Sequence, residues 1–293
     1  MKKLVSIILI IGLIASLALF GLIACKNTTY NYKDAKKYHV GAGTYASSEV
    51  KAINVAWAKG EIHITCSDEY TEVSVSEENT VTDEKYVLHQ YVDKKGTLWV
   101  KPYASKIDED NIPEFEKKIL TITMPKIMLD SAYIEGHGYD SHVSGINTKE
   151  LETYMTGYTT YVTGAVVTQK LDMKATGITG GNTLSGAINA EVKISSASEA
   201  HFTTSATPTS IDISAKRALS IVLPDTITGY SATITKATNF TSDWETTDIS
   251  EDTEAGTITK KAGDGSLTIV AKCSTSSIGS VNNTSIRKYV PAE

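Results

Sequence analysis

Three places in the sequence gather side chains that could bind a metal or move a proton. His137, Asp140 and His142 supply two imidazoles and a carboxylate, a donor set suited to Zn²⁺. Five positions separate the two histidines, which puts them on opposite faces of a regular strand, so they read as exposed turn histidines unless a corner folds them together. Asp108-Glu109-Asp110, with Glu114 and Glu116 nearby, offers the oxygens that Ca²⁺ prefers. Its spacing matches no loop in which alternate positions and a bidentate Glu converge, and it reads as a solvated loop. Glu152 and Asp172 form the one acidic pair that the repeats described below bring close. Cleaving a glycan with two carboxylates needs a cleft that pushes their pKa values apart, and the sequence signals none. Gly-x-Ser-x-Gly and phosphate-cradling glycine loops are absent. No catalytic residue, metal ligand or cofactor is assigned.

Binding offers more. Tyr139 and Tyr158 each follow a glycine at the same place in consecutive repeats, and Tyr133, Tyr154 and Tyr161 belong to the same two units. Outward rings on adjacent strands would make an aromatic platform for sugar rings or for apolar side chains of a partner. The plainer alternative is a cross-strand pair that stiffens the sheet.

The element positioning these rings is a β-unit written four or five times between Ala132 and Ala215. It opens at Ala132, Leu151, Leu171, Val192 and Ile211, a spacing of roughly 20 residues that marks stacked repeats. A glycine follows six residues on in the first three units, at Gly138, Gly157 and Gly177, and Ser198 takes its place in the fourth. Gly145, Gly164 and Gly186 close the second half of those three units. A single coil cannot bury its apolar side, so the units must stack. Stacking predicts columns. The opening residues, and Ile134, Thr153, Met173, Ile194 and Ile213 two positions later, point inward. Tyr133, Glu152, Asp172, Lys193 and Asp212 between them face water, with Lys193 placed to help the stack between two aspartates.

Thr, Ser, Ile, Val and Tyr are abundant, Pro is scarce and helical apolar spacing is missing, so β-structure is expected throughout. With 41% hydrophobic and 21% charged residues in 293, the chain can bury a core.

At the N-terminus Lys2 and Lys3 precede an apolar run from Leu4 to Ala24, the layout of a secretory signal, or of an uncleaved membrane anchor. Leu22-Ile23-Ala24-Cys25 resembles the bacterial lipoprotein signal. That resemblance implies cleavage before Cys25, lipidation of Cys25, and an extracytoplasmic domain held to the cell membrane by the lipid. Losing Lys2 and Lys3 makes the formal charge of −6 two units more negative, which gives no electrostatic route to nucleic acid. Residues 25–49 are polar with Gly41-Ala42-Gly43 and read as a tether lifting the domain off the membrane.

From Lys51 the alternation is clean: Ile53, Val55 and Trp57, then Lys59-Gly60, then Ile62, Ile64 and Cys66. The pattern reads as two consecutive strands with a tight turn. Ile53-Asn54-Val55-Ala56-Trp57-Ala58-Lys59-Gly60-Glu61-Ile62-His63-Ile64, followed by Val73-Ser74-Val75-Ser76-Glu77-Glu78, resembles the opening of the bacterial putative-adhesin domains built of β-strand repeats. Gly96 to Val100 is similar to that family's second strand pair, Leu120 to Pro125 to its strand-then-proline step, and Gly263 to Ile269 to its closing strand. The resemblance implies a surface binding module for glycan or protein. Some relatives belong among cell-envelope stress-response components, which implies as an alternative a regulatory partner of a membrane protein. The family's Ser-Gly turn is missing between Ser195 and Thr209, so the fourth coil is expected to be irregular.

Phe240 to Ala255 reads as a loop bearing Trp244. Cys66 and Cys273 lie on inward phases near opposite ends of the folded chain and read as buried thiols, unless the termini fold back together and bring them within reach of a disulfide. The expected organisation is a signal peptide at 1–24, a tether at 25–49, an all-β domain at 50–281 and a tail at 282–293. That domain is expected to be a single-stranded right-handed β-helix, or β-solenoid, with irregular capping strands at both ends. The chain reads as a non-enzymatic surface lipoprotein. Its oligomeric state is not legible.

Overall fold

The computed structural model describes residues 29–177, 179–235, 239–252, 257–273 and 283–289. Cys25, and with it the proposed lipidation site, lies outside the described residues. Among those described there is no α-helix, and no helix is long and apolar enough to cross a membrane.

Each repeat is a coil of two strands, one in each of two walls that share one apolar core. Coil 1 is Ala52–Ala58 with Glu61–Cys66, and coil 2 is Met128–His137 with Ser141–Ser144. Coil 3 is Asn147–Thr156 with the first half of Thr160–Thr176. Coil 4 is the second half of that strand with Asn182–Ile188. Coil 5 is Glu191–Ser196 with Glu199–Thr204, and coil 6 is Ser210–Ala215 with Ala218–Leu223. Neighbouring coils pair in parallel in both walls.

The predicted columns are present. Ile53, Ala132, Leu151, Leu171, Val192 and Ile211 are consecutive partners, and so are Val55, Ile134, Thr153, Met173, Ile194 and Ile213. All are buried, each large aliphatic contributing about 1.5–3 kcal/mol by leaving water. Tyr133, Glu152, Asp172, Lys193 and Asp212 stack on the outer face in the expected register. Lys193 nevertheless closes no ion pair with either aspartate among the described residues, so the charge alternation does not become a bond.

Glycine makes the corners. Gly138, Gly157 and Gly177 have φ of 94°, 89° and 88°, the left-handed region that glycine adopts without a Cβ penalty. Ser198 turns its corner without a positive φ. Contrary to expectation the coil it belongs to is regular, with both of its strands in continuous register with coils 4 and 6.

Several expectations are corrected. Ala52–Ala58 and Glu61–Cys66 are the two consecutive strands with a tight turn that the sequence predicts, but they do not pair with each other. They pair with different partners in different walls, and Lys59, at φ 56°, turns the corner of coil 1. The polar segment taken as tether is docked from residue 29 onward. Thr29–Tyr30 pairs with Ile107–Asp108, His39–Val40 with His89–Val92, and Gly43–Ala46 with Glu72–Asn79. Its polar side chains face water while its backbone completes sheet edges, which a composition argument does not register. The presumed loop around Trp244 contains strands Asn239–Ser242 and Thr246–Asp252, with Trp244 buried and its indole N–H donating to the Ile227 carbonyl at 3.2 Å.

At the C-terminal end the order in space departs from the order in sequence. Leu267–Cys273 and Asn283–Lys288 form coil 7, which stacks directly on coil 6, so part of the segment 282–293 expected as a tail belongs to the stack. Tyr230–Thr235 and Asn239–Ser242, although earlier in the chain, stack beyond coil 7. The strand expected to cap the stack is therefore interior. Cys66 and Cys273 are buried free thiols in coils 1 and 7, with five coils between them. Burial pushes the Cys66 thiol up to about 12, away from reactivity.

Beyond coil 1 the N-terminal cap is built on Lys118–Met124, antiparallel to Glu72–Asn79, and on Thr97–Lys101, parallel to Ala52–Ala58. Inside this cap the Lys118 ammonium pairs with Glu77, and both side chains are almost fully buried.

Candidate functional aromatic surface

The five tyrosines divide into three groups around coils 2 and 3. At the corner, Tyr139 and Tyr158 stack ring on ring, with centroids 5.8 Å apart and planes within 11°. Both remain exposed, at 42% and 44%. Their corners are tied together, because the Asp140 carboxylate accepts a hydrogen bond from the Thr159 backbone N–H at 2.9 Å. The two glycines give the corners the same shape, so the tyrosines that follow them inherit the stacking of the coils.

On the second wall Tyr161 lies flat on His142, at 5.0 Å and 7°, and His142 meets His63 edge-on at 5.2 Å. These three residues are register partners on consecutive coils, so the column continues an outward aromatic ladder onto coil 1.

On the first wall the Tyr133 hydroxyl donates to Glu135 Oε2 at 3.1 Å, and His137 Nε2 lies 2.9 Å from Glu135 Oε1. Tyr154 meets the His137 ring edge-on at 6.3 Å and carries the Lys174 ammonium 5.3 Å from its ring centre. Burial, and secondarily the Glu135 charge, raise the Tyr133 hydroxyl well above the usual phenol range. The hydrogen bond from His137 is the largest influence on Glu135 and holds its carboxyl below the ordinary range. The single platform expected from the sequence is thus a band that turns through the corner.

His137, Asp140 and His142 are not assembled into a metal site. His137 is held by Glu135 on one wall and His142 by Tyr161 on the other, and among the described residues no cluster of three metal-ligating side chains forms. Glu152 borders a shallow hollow of about 180 Å³ with Tyr133, Glu150 and Lys170, and Asp172 is not part of its lining. The acidic pair therefore shares no cleft.

Sequence reasoning missed Glu135, Lys174 and His63 as members of this surface. The signal was present for the first: Tyr133, Glu135 and His137 sit at i, i+2 and i+4 on the outward phase of one strand, where alternate residues share a face.

An all-β stack of parallel coils carrying an outward aromatic band defines the class of this protein. No family model and no curated protein matches the chain. Among solved structures it is similar to a putative cell adhesion protein from Clostridium sporogenes, at 13% identity over 86% of this chain and all of that chain, with a TM-score of 0.36. It is also similar to a putative adhesin from Bacteroides fragilis, at 14% identity over 86% of this chain and 97% of that chain, with a TM-score of 0.38.

Proposed function

We propose that the protein is a non-enzymatic, cell-surface binding module, lipid-anchored at Cys25, that holds glycan or protein ligands against its aromatic band. The observation that carries this reading is the Tyr139–Tyr158 stack. Two large rings, each more than two-fifths exposed, are fixed by paired corners, so a ligand meets them without ordering them first. The neighbouring Tyr161–His142 stack extends the same kind of surface. Aromatic faces with polar tips are the composition that interfaces favour. The stack winds as a right-handed solenoid on this reading, the hand that parallel β crossovers adopt almost without exception.

The test is retention. Purified protein and its Tyr139→Ala/Tyr158→Ala variant are immobilised and exposed to cell-wall polysaccharide, host glycans and solubilised envelope proteins. Retention of glycan or of a foreign surface protein, lost in the variant, supports the reading. Equal retention by both proteins removes the tyrosine stack from it. Specific recovery of a membrane protein from the same cell would replace adhesion with a regulatory role.

A further inference from the structure

A hollow of about 170 Å³ lies where the docked N-terminal segment crosses the first wall. Tyr30 and Tyr32 line it from the segment, and Lys101, Glu135 and His137 from the wall. The segment is fixed in place there. Thr29–Tyr30 is hydrogen-bonded to Ile107–Asp108, and the Tyr32 hydroxyl donates to the Tyr103 carbonyl at 2.8 Å. The hollow is therefore preformed.

Its polar groups are arranged for a ligand rich in hydroxyls. Glu135 is held from one side by Tyr133 and from the other by His137, and each carboxylate oxygen keeps accepting capacity. Lys101 is half-buried, and its ammonium closes no hydrogen bond or ion pair among the described residues: it lies 5.7 Å from the ring of Trp99 and near enough to Glu135 for the two charges to attract. An ammonium with three donors and no hydrogen-bond acceptor in the fold keeps that capacity for a ligand. Hydroxyl groups satisfy both ends, accepting from Lys101 and donating to Glu135, while the C–H face of a sugar ring packs on tyrosine. Size limits the occupant to one ring, because drug-sized ligands need about 300–1,000 Å³. Charge limits it further: Glu135 and Lys101 already offset each other, so a neutral sugar keeps that balance whereas an acidic one would add a carboxylate with no cation of its own.

We propose that this hollow binds a single neutral pyranose unit, with Glu135 and Lys101 as the contacting groups and Tyr133 as the residue positioning Glu135. The site is separate from the Tyr139–Tyr158 stack. It goes beyond the broader glycan-binding reading and rests on it only for the biological source of the sugar. His137 connects the two regions, since its ring meets Tyr154 and its backbone leads into the corner that carries Tyr139.

The experiment is saturation-transfer NMR on the full chain in a sugar-free detergent, with methyl glycosides of glucose, galactose, mannose and N-acetylglucosamine and with galacturonic acid as probes. At least one neutral glycoside is expected to bind at millimolar concentration or tighter. Glu135→Gln and Lys101→Met should each weaken it about tenfold or more, with unchanged thermal melting. Tyr139→Ala/Tyr158→Ala should leave it unchanged. No binding of any neutral glycoside, binding of galacturonic acid alone, or binding indifferent to both Glu135→Gln and Lys101→Met would overturn the proposal. If polysaccharide is still retained through the tyrosine stack in that event, the broader reading stands without this site. If neither is seen, both fall.

Discussion

The Lys118 ammonium sits against the Glu77 carboxylate within the N-terminal cap, enclosed by the rings of Trp57, Tyr103 and Phe115 at 4.7, 5.0 and 4.7 Å. Glu77 also accepts from the Leu88 backbone N–H at 2.7 Å, and Lys118 donates to the Tyr86 carbonyl at 3.0 Å. The cap thus holds a buried charged pair beside its apolar core of Val73, Val75, Leu88, Leu98, Leu120 and Ile122.

Breaking that pair should cost far more than its net contribution. Lys118→Met leaves Glu77 buried and uncompensated, and is expected to destabilise by about 3–5 kcal/mol in urea unfolding. Lys118→Met/Glu77→Gln removes the stranded charge while keeping an acceptor for Leu88, and should recover part of that loss. A double variant no more stable than Lys118→Met would contradict the account.

The two faces of the repeat strands can be told apart by adjacent substitutions. Leu171→Asp places an unpaired carboxylate between Leu151 and Val192 and should destabilise by more than about 4 kcal/mol. Asp172→Leu, on the outer face beside Glu152, should stay within about 0.5 kcal/mol of wild type. Comparable losses for the two would refute the register.

The glycine corners differ in how much room they leave. An alanine at Gly138 has nothing within 4 Å of its Cβ and carries only the left-handed backbone penalty, about 1–2 kcal/mol. At Gly177 the same Cβ would lie 2.8 Å from the Cα of Gly157 in the next coil. Gly177→Ala should therefore be the more destabilising by about 1 kcal/mol or more, as read from denaturant midpoints.

His89 gives a pH dependence with a definite sign. It is buried in the cap, its Nδ1 lies 2.8 Å from the Val87 carbonyl, and burial lowers its pKa below 6.5 against the opposing charges of Glu77 and Glu84. Because the unfolded chain takes up this proton first, the stability tied to neutral His89 is fully present above pH 6.5. It is lost as pH falls through the lower folded value. His89→Gln should lose less melting temperature than wild type between pH 7.5 and 5.5, with the other histidines common to both proteins.

The interior of the stack was legible because its signals are local: alternation tells inward from outward, and the corner glycines Gly138, Gly157 and Gly177 set the register of Leu151 on Leu171. The ends were not. Placing Leu267–Cys273 between coil 6 and Tyr230–Thr235 depends on pairings between distant segments, and nothing in Leu267 or Tyr230 records which stacks first. The same holds for the hollow. Glu135 and His137 share a strand and could have been grouped, but Tyr30, Tyr32 and Lys101 reach them only through folding.

The pairing of Thr29–Tyr30 with Ile107–Asp108 also sets a length. Four peptide steps separate Thr29 from Cys25, and fully extended they reach no more than about 14 Å. A lipid on Cys25 would moor the N-terminal cap almost at the headgroups, with no stalk to carry it into the medium. The hollow beside Tyr30 would then lie close to the bilayer, within grasp of sugars displayed by the cell's own envelope. The far end of the stack, around Tyr230 and Trp244, would be the part that meets the outside.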